Sequence, residues 1–88
     1  MTARLGADAA LMAYENRQQD YGDAAANLSR IGEVWGTIMG TPPMPPDTVA
    51  LMLCGMKVVR ATRRVNRDDL VDAVAYLMLT DDIREDAT

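Results

Sequence analysis

An all-α fold is what the sequence predicts: a four-helix bundle-like domain whose third and fourth helices make an antiparallel hairpin. Three observations predict it. The apolar residues, 49% of an 88-residue chain that has no Phe, are mainly Ala, Leu, Met and Val, a mixture that favours helices over strands. They recur at three- and four-residue steps, and nothing alternates with the two-residue period of a strand. All four prolines crowd into residues 40–46, which no helix can absorb.

The first helix is expected over residues 8–19. Ala10, Leu11 and Tyr14 form a thin apolar stripe, and Asp8 suits the positive helix start. In "DYGD", Gly22 supplies a turn and Asp23 caps the next helix. This second helix covers 24–39, with Leu28, Ile31, Trp35 and Ile38 on one buried face. Gly32 and Gly36 weaken it by about 1 kcal/mol each relative to Ala, which a closely packed neighbouring backbone would justify. Gly40 stops it. The proline loop is stiff and extended and does not separate domains; a single domain spans 1–88.

The third helix is expected over 47–62. Its "TVALMLCGMKVV" is apolar on nearly every side, as in a helix that is central or faces a partner subunit. Gly55 would let another helix approach closely. The fourth helix, 67–80, comes after Asn66 as cap, with Asp68 and Asp69 in its first turn. Leu70, Val71, Val74, Leu77 and Met78 are its expected buried face, and the acidic tail 81–88 is expected to fray. So apolar a third helix in so short a chain predicts a homo-oligomer. The seven methionines read as adaptable core filler.

Composition excludes several classes of function. A net charge of −4 argues against wrapping DNA or RNA, which takes a basic surface. One Cys and no His deprive zinc of its preferred ligands and remove any His-based triad. Cys54, flanked by apolar residues, reads as buried and inert; a lone cysteine fits a reducing cytoplasm. No apolar run is long enough for a membrane span. The first twenty residues, broken by Asp8 and Glu15, do not read as a secretory leader.

Chemistry concentrates on the last two helices. Lys57, Arg60 and Arg64 share one face of the third; Asp69, Asp72 and Tyr76 share one face of the fourth. Antiparallel packing lets the two faces oppose each other. One reading is a register-fixing ion pair, Lys57 or Arg60 with Asp72, contributing about 0–1 kcal/mol. The other gives Asp69 and Asp72 to a divalent metal such as Mg²⁺, which prefers oxygen ligands. Lys57 and Arg60 then neutralise phosphates, and Tyr76 or Tyr21 stacks on a base. On the second helix Asp23, Asn27 and Arg30 form either a solvated face or further oxygen and base-reading groups. Glu33 lies off that face and reads as solvated. The run Arg60, Arg63, Arg64, Arg67 is the one basic patch; it could touch a nucleic-acid backbone, but a solvated helix end that suits the negative C-terminal dipole is the simpler account.

The order "YGD…N…I…W…MG", a proline turn, "D…LML…MK…R" and "DDLVDAVAYLML" resembles a family of small phage- and prophage-encoded domains of unknown function. That family sits near the nucleotide-modification-associated domains and the MazG-like all-α NTP pyrophosphohydrolases. The resemblance covers roughly residues 14–79. It implies an oligomeric helical bundle with a nucleotide-like ligand, and Tyr21, Gly22, Asn27, Trp35, Lys57, Arg60, Asp69, Asp72 and Tyr76 match its pattern. MazG-like enzymes place two acidic pairs around Mg²⁺. Here only Asp69 and Asp72 form one, Asn27 and Arg30 stand where the second would be, and Ala75 replaces the usual Gly before the helix-four Tyr.

The functional expectation is a phage accessory protein in the host cytoplasm. It binds a nucleotide or phosphorylated ligand through Asn27, Lys57, Arg60 and Tyr76, with Mg²⁺ on Asp69 and Asp72. In a catalytic version the Asp pair activates water and Lys57 steadies the leaving phosphate. The alternative is a non-enzymatic module that binds a host or phage protein through its apolar and acidic surfaces.

Overall fold

The computed structural model describes the backbone of residues 2–64 and 66–87, and the side chains of 4–11, 24–64 and 66–87. The described residues form three helices: α1 (Thr2–Met39), α2 (Pro46–Arg63) and α3 (Arg67–Asp86). All four predicted helical segments are helical. The first two run on without a break as α1, which also starts six residues earlier than expected. The turn expected at Gly22 does not occur. A lone Gly costs a helix only about 1 kcal/mol, no proline accompanies it, and both ends of α1 are held by tertiary contacts. The side chains of Tyr21 and Asp23 lie outside the described residues.

Contacts at the helix ends fix the topology. Arg84, late in α3, meets Asp47 at the start of α2, and Arg60, late in α2, meets Asp69 at the start of α3. The hairpin is therefore antiparallel, as expected. Arg67 at the start of α3 meets Asp8 near the start of α1, while Leu28, Ile31 and Trp35 pack with Val49, Ala50, Leu79 and Ile83. So α1 runs parallel to α3 and antiparallel to α2.

Between α1 and α2 the chain turns back on itself. Gly40 takes φ +70°, the left-handed conformation that ends helices. Thr41 N–H then donates to the Gly36 carbonyl at 2.9 Å, and Met44 N–H to the Gly32 carbonyl at 3.1 Å. The loop thus lies against α1 at Gly32 and Gly36. A Cβ on Gly36 would come within 2.7 Å of the Pro42 carbonyl oxygen, and one on Gly32 would overlap that of Met44. This is the close backbone approach that the glycine spacing anticipated. Pro46 then opens α2 at the first helical position, where the missing N–H has no bond to lose.

Four expectations about packing are corrected. On α3, Leu70 and Leu77 are exposed, and Asp69, Ala73 and Thr80 face inward. Apolar residues are spread nearly evenly around this helix, so small side chains that let α2 approach decide which face is buried. The tail does not fray after residue 80. Ile83 packs against the core and Arg84 holds Asp47, and α3 continues to Asp86. Met39, Met52 and Met56 are exposed rather than core filler, and Ile38 lies outside the buried face.

Candidate functional site

The turn between α2 and α3 collects charge. Five of the nine Lys and Arg residues fall between Lys57 and Arg67, in a chain whose net charge is negative. Helix polarity accounts for much of this. Arg60 and Arg63 occupy the last turn of α2, and Asp68 and Asp69 the first turn of α3, each sign opposing the local dipole. Asn66 Oδ1 accepts from Asp68 N–H at 2.9 Å, so the cap expected from sequence starts α3.

Within the seam the side chains pair directly. Lys57 Nζ stands 3.0 Å from Asp72 Oδ2, both groups partly covered. Arg60 Nε lies 3.3 Å from Asp69 Oδ1, and Arg64 Nε 3.9 Å from Asp69 Oδ2. Asp69 is 2% exposed. Among the described residues its Oδ2 has no hydrogen-bond partner. Both arginines keep their outer edges in solvent. Of the two pairings expected for Asp72, Lys57 provides the one observed, and Arg60 joins Asp69.

The structure thus brings together Lys57, Arg60, Asp69 and Asp72. Tyr76, one turn beyond Asp72 on α3, is half-buried, and its carbonyl accepts from the Thr80 hydroxyl at 2.7 Å. Asn27 and Arg30 do not join them. Both are exposed on α1, beside Leu28, which packs on Val49 and Ala50. That level of α2 is about 15 Å along the axis from Arg60. Arg64 was legible as part of the basic face of its helix but not as a second cation on Asp69.

Among the described residues no three acidic, Cys or His side chains gather closely enough to hold a metal. Two carboxylates remain, Asp69 and Asp72. That donor set does not make a dedicated cage, but it matches the one or two carboxylates by which Mg²⁺ is held together with substrate phosphates.

A second feature lies at the opposite end. Trp35, Ile38, Met39, Met44 and Met52 line an apolar groove of about 290 Å³. Trp35, expected in the core, packs against it on one side and opens into this groove on the other. Cys54 is buried, as expected. No described helix is long and apolar enough to cross a membrane.

Residues 5–84 match the model of a family described as a domain of unknown function, DUF6378. The chain is 36% identical over 61 residues to the Gene 55 protein of Mycobacterium phage L5, an alignment covering 68% of this chain and 39% of that protein. The chain thus spans well under half of this relative's length. No solved structure matches.

Proposed function

The chain belongs to the DUF6378 family, and from that premise and the geometry of its hairpin we propose that it binds a nucleotide or another phosphorylated small molecule. The ligand sits at the α2–α3 turn, with Mg²⁺ as its companion, in an accessory protein that works in the cytoplasm of a phage's host. The cationic edges of Arg60 and Arg64 meet the phosphates. Lys57 exchanges its bond to Asp72 for one to the ligand, and Asp69 and Asp72 turn to the metal. Tyr76 is the group within reach of a base. A relationship to the MazG-like fold belongs to the same proposal.

Asp69 carries this reading. A buried carboxylate with one oxygen lacking a hydrogen bond costs the fold about 1–3 kcal/mol or more. Buried ion pairs add little stability over apolar packing. An interaction that is poor for stability, placed beside two half-exposed arginines, fits a site that is completed by something else.

Thermal melts with Mg²⁺ and a panel of NTPs and dNTPs test it. A ligand at one hundred times its Kd adds about 2.7 kcal/mol, a rise of roughly 10 °C or more for a domain of this size. Asp69→Asn and Asp72→Asn should each remove that rise and leave the helical circular dichroism intact. No rise with any nucleotide overturns the reading.

A second reading, a non-enzymatic module for a host or phage protein, is favoured by the exposed apolar residues of α2.

A further inference from the structure

Lys57 and Arg60 turn inward to the carboxylates of α3. The opposite face of α2 is left to Leu51, Met52, Met56, Val58 and Val59, each between 42% and 59% exposed. By helical spacing these five occupy one arc, with Gly55 near its middle; all five are apolar, and Arg63, one turn beyond Val59, borders them at the C-terminal end of the helix. A monomeric protein rarely leaves so continuous an apolar face in water.

Gly55 adds an independent observation. Gly32 and Gly36 are explained inside the fold, since loop backbone occupies the space a Cβ would need. Around Gly55 no other described residue comes within 4 Å of that position, the helix's own turns aside. A glycine in the middle of an exposed helix weakens it, and no contact among the described residues accounts for it. A helix from outside, crossing close to the backbone, would.

We propose that this face is the interface with a second copy of the chain, the two α2 helices packing antiparallel across a two-fold axis at Gly55. In an isologous interface the same patch must complement itself, and this one does. Residues three and four positions on either side of Gly55 come opposite each other. Leu51 of one copy then meets Val58 of the other, and Met52 meets Val59. The central pairs around Gly55 are apolar, so two chains of net charge −4 meet there on a patch without acidic groups. A strongly charged partner protein finds no complement there.

A standard interface takes about a tenth of a small protein's surface, and the apolar groove continues from these five residues through Met52, which widens the face on which two copies would meet. The charged seam lies on the other side of α2, so this inference stands apart from the ligand proposal.

Sedimentation equilibrium across a concentration series tests it. The wild-type chain is expected at twice its monomer mass. Val59→Glu and Met52→Glu should each return it to monomer mass with helical circular dichroism unchanged. Gly55→Cys should give a covalent dimer under mild oxidation that thiol reductant reverses. A monomer at every concentration overturns the proposal and leaves the face to another protein. A dimer that survives both glutamates overturns it by placing the interface elsewhere.

Discussion

At one end of the bundle Leu28, Val49 and Ala50 pack with Trp35, Leu79 and Ile83 beneath a loop seated on two glycines. At the other end the contacts between helices include Lys57–Asp72, Arg60–Asp69 and Arg67–Asp8. The apolar end gains from burial, at about 25 cal/mol per Å² removed from water. The charged end gains little, because each pair must offset the desolvation of its members. The contrast assigns the work: the apolar end holds the fold, and the charged end is free to be organised for something else. It also fits the unusual α2, which turns Lys57 and Arg60 toward the carboxylates of α3 and leaves valines and methionines outside.

The sharpest way to break this comparison is at Gly32. Gly32→Ala places a methyl on the Met44 carbonyl, and neither backbone can yield without opening the loop from α1. The expected loss is about 3 kcal/mol, a large share of a small domain's stability. Urea denaturation followed by circular dichroism measures it. Gly6→Ala is the control, since its Cβ meets nothing within 4 Å among the described residues; it should leave stability unchanged or raise it by up to about 1 kcal/mol. Equal effects at the two sites would mean that the loop is not seated on α1 as described.

The apolar end was also the more legible in sequence. Two glycines four residues apart signal a place where another backbone can come close; that the stiff proline loop supplies it is what the structure adds. Asn66 was legible for a similar reason, because capping is local chemistry. What could not be read was any feature set by the relative rotation of helices. The apolar residues of α3 point in most directions, so periodicity selected Leu70 and Leu77, whereas packing selected Asp69, Ala73 and Thr80. Gly22 misled in the opposite sense: a local helix breaker gives way when both flanks are anchored.

At the charged end, the order comes from local capping, and removing the cap probes it with a smaller effect. Asn66→Ala deletes the acceptor for Asp68 N–H and should cost about 1 kcal/mol, read from the same denaturation curves. If Asn66→Ala costs as much as Gly32→Ala, the charged end carries the fold as much as the apolar end does, and the division of labour fails.

The smallest expected effect belongs to Asp47 and Arg84, a polar pair attached to the apolar end. Arg84 Nε donates to Asp47 Oδ2 at 2.9 Å, and this bond is the main cause holding the Asp47 carboxyl below its ordinary pKa of 3.8. A carboxyl with a lowered folded-state pKa binds fewer protons in the folded chain than in the unfolded one. Its contribution is therefore complete above the unfolded pKa near 4 and disappears as pH falls through the lower folded value. The pair is partly exposed, so Arg84→Ala should cost only about 0.5 kcal/mol at pH 7. That difference from wild type should shrink below pH 4 and vanish in stronger acid, whereas the Gly32→Ala deficit, which is steric, should persist. Denaturation at pH 7 and pH 3 separates the two. An Arg84→Ala deficit that grows in acid would mean that Asp47 is not held by this bond.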